Sequence, residues 1–125
     1  MTIVGLHHFA IPMPVGNEAK AREFYGGVLG LVEVAKPKRL AVDGGVWFGL
    51  PDGRHVHLQS SAQFEPLRHP HPALMVADVN SAAKELETSG HPPRWDERWD
   101  GVRRFFVADP FGNRIEIVEA ASVGQ

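Results

Sequence analysis

Residues 104–119, RFFVADPFGNRIEIVE, carry the strongest structural signal in this chain of 125 residues. Two runs rich in β-branched and aromatic residues flank Asp109-Pro110-Phe111-Gly112, a sequence typical of a tight turn. Pro110 restricts φ at the second turn position, and Gly112 tolerates the positive φ that the chain reversal requires. This stretch predicts a β-hairpin with strands over 104–108 and 113–119.

A second hairpin is predicted earlier in the chain, over residues 46–59, around a turn that ends at Gly53. Gly53 precedes His57 by four residues, and Gly112 precedes Glu116 by the same distance. An aromatic residue also stands six positions before each glycine. Matching distances of this kind indicate an internal repeat.

The segments before the two hairpins are also alike. Asn17 and Asp78 suit the N-cap of a helix, and the two predicted helices end near Gly30 and Gly90. The predicted strands span residues 3–11, 31–35, 46–50 and 54–59 in the first half, and 71–77, 94–95, 104–108 and 113–119 in the second. The order βαβββ therefore occurs twice.

We expect an α+β fold made of two βαβββ modules within a single domain. Module 1 covers about residues 3–60, a linker covers 61–69, and module 2 covers about 70–120. The linker lacks periodicity and contains Pro66. The alternative is an unrepeated α+β domain with the same elements.

Composition limits the class of function. The 13 Lys+Arg against 15 Asp+Glu leave a net charge of −2, without the basic excess that nucleic-acid binding requires. The lack of cysteine excludes disulfides, thiolate nucleophiles and cysteine-based metal sites. The sequence has neither a signal-peptide pattern nor an apolar run of about 20 residues. We therefore expect a cytoplasmic protein that handles a small molecule and does not engage a membrane.

Strand alternation predicts which polar side chains share a face. Four of them lie opposite the strongly apolar face of their strands: His8, His57, His71 and Glu116. Imidazole and carboxylate groups bind divalent transition metals, and two histidines with one carboxylate leave positions open for substrate. Each residue alone is more often structural, so the prediction depends on the constellation. His7 should face the other way, as a partly buried structural residue.

The same faces carry candidate substrate contacts, namely His55, Gln59, Met75, Arg114 and Trp47. Core packing is the commoner fate of a strand tryptophan. Because Trp47 and Phe48 are neighbours in one strand, one should enter the core while the other lines a pocket. Arg103 and Arg104 either hold an anionic substrate group or are solvated at the surface, and the second is the commoner fate of an arginine.

Four strings in the sequence resemble the vicinal oxygen chelate superfamily: LHHFAI, FYGGVLGLVEV, HPALMVADV and ADPFGNRIEIVE. That superfamily includes glyoxalase I, bleomycin-resistance proteins and extradiol dioxygenases. The resemblance implies an incomplete eight-stranded barrel with a concave site around a metal. It places the usual ligands at His8, His71 and Glu116, and a fourth at His57. Glyoxalase I has a glutamate at that fourth position, so the chain most resembles small glyoxalase-like bacterial members.

The resemblance implies a metalloenzyme in which a divalent metal (Zn, Ni, Mn, Co or Fe(II)) chelates a small oxygen-rich substrate and stabilises an enolate or oxyanion. His57 is either a ligand or the catalytic base, and His55 is an alternative base. The competing hypothesis is a metal-free protein that sequesters a drug-like ligand. A homodimer is expected, with the modules paired within one chain or exchanged between two.

Overall fold

The computed structural model describes residues 1–124, which form two compact units, one ending at Pro66 and the other beginning at Leu67. Unit 1 contains β1 (His8–Pro14), α1 (Glu18–Ala21), β2 (Val32–Val34), α2 (Lys38–Ala41), β3 (Val46–Gly49) and β4 (His55–Ser61). A π-helix over Arg22–Val28 continues α1 directly. The sheet of unit 1 has the order β1-β4-β3-β2, with β1 parallel to β4 and the other pairs antiparallel.

Unit 2 repeats this arrangement. It contains β5 (Ala73–Val76), α3 (Val79–Thr88), β6 (Arg94–Asp96), β7 (Arg104–Ala108), β8 (Arg114–Glu119) and α4 (Ala120–Val123). The sheet order is β5-β8-β7-β6, again with one parallel and two antiparallel pairs. The predicted α+β fold of two βαβββ modules is confirmed, and the short helices α2 and α4 are additions to it.

The first strand differs from its prediction. It begins at His8 instead of residue 3 and runs through Pro12 to Pro14. The carbonyl of His7 accepts a hydrogen bond from the His55 N–H, so alternate residues from His7 onward bond to β4. Pro12 and Pro14 occupy the other set of positions, at the sheet edge, where a missing N–H removes no bond to β4.

The helix N-termini also differ. Asp78 caps α3 as predicted, since its carboxylate accepts a hydrogen bond from the Ser81 N–H at 3.0 Å. Asn17 stands before α1 but makes no capping bond. Its side-chain amide instead donates to the carbonyls of Pro14 and Val15. Asn17 is therefore the N-cap residue of α1 by position, as predicted, but its side chain does not supply the capping bond.

Each sheet packs its strongly apolar face against the helices of its own unit. In unit 1 the π-helix contacts β2 and β3, and in unit 2 α3 contacts β8. The largest fully buried side chains include Ile11, Phe24, Tyr25, Phe48, Phe105 and Ile115. The opposite faces remain available for the polar residues of the predicted site, as strand alternation indicated.

Candidate functional site

Unit 2 brings together two of the predicted metal ligands. His71 Nε2 lies 2.9 Å from Glu116 Oε1, and the Glu116 residue is only 4% exposed. His71 lies just before β5, which starts at Ala73 and not at residue 71 as predicted. Ala73 pairs with Glu116, and the Glu116 N–H donates to the Pro72 carbonyl. The backbone pairing thus carries His71 to the carboxylate although His71 is outside the strand.

The second ring nitrogen of His71 is also engaged. Nδ1 lies 2.7 Å from the carbonyl oxygen of His69, to which it can only donate. With that proton on Nδ1, a neutral ring presents the lone pair of Nε2 to the carboxylate oxygen of Glu116. Two lone pairs at 2.9 Å repel each other, so the contact requires either a proton on one of the two groups or a cation bound by both.

This pair fits two positions of a divalent metal. Ligand atoms about 2.1 Å from one ion, at an angle near 90°, lie about 3 Å apart. A backbone carbonyl that holds the far nitrogen of a histidine is also a frequent outer partner of metal ligands. Within residues 1–124, however, no group of three or more potential ligand side chains is arranged to hold a metal ion. The donor set of unit 2 therefore supplies two ligands.

An arginine that was predicted to be solvated belongs to this site. Arg104 donates from one terminal nitrogen to Glu116 Oε2 at 3.3 Å, and its other terminal nitrogen is 3.5 Å from Asp96. Its side chain is only 15% exposed. Contact with Arg98, and secondarily Arg104, holds the pKa of Asp96 below its usual range. The alternation of side chains along β7 could have indicated Arg104. Arg104 lies on the same face of β7 as Phe106, and Phe106 pairs with Glu116.

The predicted substrate contacts of unit 2 lie on the same sheet face. The guanidinium carbon of Arg114 is 3.9 Å from the centre of the Phe106 ring, a close cation–π contact. The edge of Phe106 also meets the His71 ring, with 5.2 Å between ring centres. Met75 lies on β5, and 66% of its surface is exposed. Phe106 therefore separates Arg114 from His71 and contacts both.

Unit 1 carries a histidine cluster formed by His7, His8, His55 and His57. His57 is 7% exposed and stacks between two rings, Trp47 at 3.8 Å and His8 at 4.1 Å between ring centres. His55 Nδ1 lies 3.2 Å from His57 Nε2. Trp47 pairs with His57 across β3 and β4, and its neighbour Phe48 is buried in the core. The division of roles between the two aromatic residues is as predicted.

His7 departs from its prediction. It is exposed instead of partly buried, its Nδ1 lies 2.9 Å from His8 Nδ1, and its ring is 5.1 Å from that of His55. Because β1 begins at His8, the strict alternation that was expected to turn His7 away does not extend to it. His7 therefore belongs to the histidine cluster.

The cluster determines the charge of its buried member. Burial is the largest cause, and with charge repulsion from the neighbouring His8, His55, His7 and Lys36 it lowers the pKa of His57 to about 4. His57 is therefore neutral at pH 7. In this form it can accept a hydrogen bond or bind a metal, but it is a weaker base than an ordinary histidine.

An open cavity of about 710 Å³ lies over this face of unit 1. Its lining includes His8, Trp47, His57 and Gln59, and also Lys36, which lies 5.9 Å from the Trp47 ring. Gln59 is exposed, so its amide is accessible from the cavity. This is the size range of small-molecule sites in proteins.

Comparison with known proteins identifies the family. A model of the Glyoxalase/Bleomycin resistance protein/Dioxygenase superfamily matches residues 5–117. The chain belongs to this superfamily. The predicted kinship with the vicinal oxygen chelate proteins is thereby confirmed. No curated protein matched the sequence. None of the helices formed by residues 1–124 has the length and hydrophobicity to cross a bilayer.

Solved structures of this superfamily have the same fold. A Bacillus anthracis protein assigned to the glyoxalase family is 38% identical, with a TM-score of 0.91 over 95% of this chain and 97% of that chain. Lactoylglutathione lyase from Agrobacterium tumefaciens is 18% identical, with a TM-score of 0.75 over 100% of both chains. A fosfomycin resistance protein from Listeria monocytogenes is 15% identical, with a TM-score of 0.73 over 95% of both. The last two share the fold of this superfamily member.

Proposed function

We propose that this superfamily member is a metal-dependent enzyme that acts on a small, oxygen-rich substrate. The observation that supports the proposal most is the 2.9 Å approach of His71 Nε2 to Glu116 Oε1, with His71 Nδ1 held by a backbone carbonyl. His71 and Glu116 would hold the metal. The sequence-based prediction adds His8, from the same chain or from a second one, as a further ligand.

A divalent metal bound there would act as a Lewis acid that stabilises negative charge developing on a substrate oxygen. Isomerase, lyase and oxygenase reactions all use such stabilisation. Other residues of this chain fix the orientation of the two proposed ligands, His71 and Glu116. The His69 carbonyl fixes the ring orientation of His71, and Arg104 fixes the carboxylate of Glu116. Both ligands are therefore positioned before substrate binds.

His57 acts in this proposal as a neutral group. A pKa of about 4 keeps its ring unprotonated across the physiological range, which suits a hydrogen-bond acceptor or a ligand better than a general base. Its partner His55, 3.2 Å away, is then the candidate for proton transfer. Trp47 and Gln59 would contact the substrate from the cavity of unit 1.

One observation favours a second candidate, a metal-free protein that binds a small molecule. The guanidinium of Arg104 already compensates the carboxylate of Glu116, with 3.3 Å between Nη1 and Oε2. A protonated His71 would satisfy the other carboxylate oxygen without a metal. The two candidates differ in whether a cation occupies the space between His71 and Glu116.

The test is calorimetric titration of untagged protein with Zn²⁺, Ni²⁺ and Mn²⁺. We expect His71→Gln and Glu116→Gln to weaken binding of the preferred metal by about 100-fold. His69→Gln is the matched control, because only the main-chain carbonyl of residue 69 contacts His71, and its affinity should stay within about twofold. Light scattering on the same samples tests the expected homodimer.

Failure of the wild-type protein to bind any of these metals would support the metal-free candidate. Equal metal affinity of wild-type protein and His71→Gln would also contradict the proposed ligand pair, since it would place the bound metal elsewhere in the chain.

A further inference from the structure

A second cavity, of about 670 Å³, lies in unit 2 and is lined by an unusual number of cations. Arg68, Arg94 and Arg114 all border it, together with His69 and one acidic residue, Asp109. We propose that this cavity binds a compact oxyanion group, a carboxylate or a phosphate, as part of the substrate. The assignment to the substrate depends on the function proposed above, whereas the binding of the anion does not.

The three guanidinium groups are not neutralised by the protein. Among residues 1–124, none of them takes part in a salt bridge, whereas Arg98 and Arg104 in the same unit both do. Asp109 contributes one negative charge against three guanidinium charges, and its carboxylate also holds the turn before β8. It accepts the N–H groups of Phe111 and Asn113 and the Asn113 side-chain amide. The cavity thus has surplus positive charge.

Arg114 is held in place for such a ligand. Its guanidinium lies over the Phe106 ring at 3.9 Å, which restricts the rotation of a long side chain. Its Nε is buried and has no hydrogen-bond partner within the described chain. Because Nε is shielded from solvent, an oxyanion in the cavity would bind the terminal nitrogens of the Arg114 guanidinium. The planar guanidinium fork also matches carboxylate and phosphate oxygens.

The cavity adjoins the His71–Glu116 pair. His69 lines it, and the carbonyl of the same residue orients His71. Phe106 contacts the Arg114 guanidinium and the His71 ring on the same sheet face. Arg114 also lies two residues before Glu116 on β8, on the same face of the sheet, although neither His71 nor Glu116 lines the cavity itself. The geometry points to an anionic substrate of small size.

The experiment measures the binding of inorganic phosphate and of acetate to protein stripped of metal on a chelating resin. Calorimetry or ³¹P NMR would compare wild-type protein with Arg114→Gln, Arg94→Gln and Arg68→Gln. We expect Arg114→Gln to weaken binding of the preferred anion by roughly tenfold, and the other two by somewhat less. Arg39→Gln is the control, since it removes an equal charge from an exposed position on α2 in unit 1.

Unchanged affinity in all three variants, or affinity that falls equally in Arg39→Gln, would overturn the inference, as would the lack of binding by either anion. The comparison of phosphate with acetate identifies which oxyanion the cavity prefers. Thermal unfolding of each variant confirms that it is folded. The protein in this experiment is metal-free. Loss of anion binding in Arg114→Gln therefore supports the anion site even if the wild-type protein binds no metal. Metal binding by the wild-type protein without anion binding would reject the anion site and leave the proposed function in place.

Discussion

The two units place different side chains at equivalent positions of two sheets that have the same topology. Trp47 pairs with His57 in unit 1, and Phe106 pairs with Glu116 in unit 2. Both central residues are buried, at 7% and 4% exposure. His57 lies among other imidazoles, whereas Glu116 lies between an imidazole and a guanidinium. One topology therefore supports two electrostatic environments.

The difference follows from the sign of the neighbouring charges. Around His57, burial and the other histidines both oppose protonation, so the ring stays neutral. Around Glu116, Arg104 and His71 offer positive or proton-donating groups to a carboxylate. Unit 1 thus holds a neutral imidazole between aromatic rings, and unit 2 holds a charged network. We infer that the repeat retains the fold in both halves while each half has its own chemistry.

The largest effect should come from the charged network. Arg104→Met removes the guanidinium that holds Glu116 and leaves a buried carboxylate without its cation. We expect the free energy of unfolding to fall by about 3 kcal/mol, measured by urea denaturation near pH 7. Arg103→Met is the matched control at the exposed neighbouring position, with a loss of about 0.5 kcal/mol. Equal losses in the two variants would show that Arg104 does not stabilise Glu116.

The neutral state of His57 in unit 1 should affect the pH dependence of stability. Between pH 6.5 and about 4 the unfolded chain protonates residue 57 while the folded protein does not, so stability falls as the pH is lowered through this range. The slope from this residue is at most about 1.4 kcal/mol per pH unit, declines to about half of that near pH 6.5, and vanishes roughly two pH units higher. Denaturation at several pH values should show a smaller slope in His57→Gln than in wild-type protein. Identical slopes in wild-type protein and His57→Gln would contradict the neutral state of His57.

The smallest effect concerns the two helices. Asp78→Ala removes the cap of α3, so we expect the melting temperature to fall by about 5 °C. Asn17→Ala should lower it by about 2 °C or less, because Asn17 makes no capping bond to α1. Calorimetric scans of both variants test the difference. A larger fall in melting temperature for Asn17→Ala than for Asp78→Ala would contradict the difference in helix capping between the two units.

Much of the fold was predictable because the sequence signals were local. The turns at Gly53 and Gly112, where φ is 88° and 89°, require residues that tolerate positive φ. The alternation along β4 and β8 placed His57 and Glu116 on the face opposite the core, and the Asp78 cap depends on contacts three residues apart. Each of these signals spans only a few residues, so no knowledge of the other unit was needed.

Other features depended on contacts that no short pattern encodes. The start of β1 at His8 follows from its pairing with β4, and that start allows His7 to join the histidine cluster. The π-helix over Arg22–Val28 had no recognised sequence signal. The side chain of Asn17 makes no capping bond to α1, because its amide donates to the carbonyls of Pro14 and Val15 instead.

The sequence by itself determined the repeat, the two hairpins and the faces on which the polar residues lie, because alternation and turn chemistry act over a few neighbouring positions. Only the tertiary structure decided the partners of those residues. Arg104 reaches Glu116 across the register of β7 and β8, and His71 is oriented by the carbonyl of His69. Long side chains have many rotamers, and the surrounding strands select the one that completes a hydrogen bond.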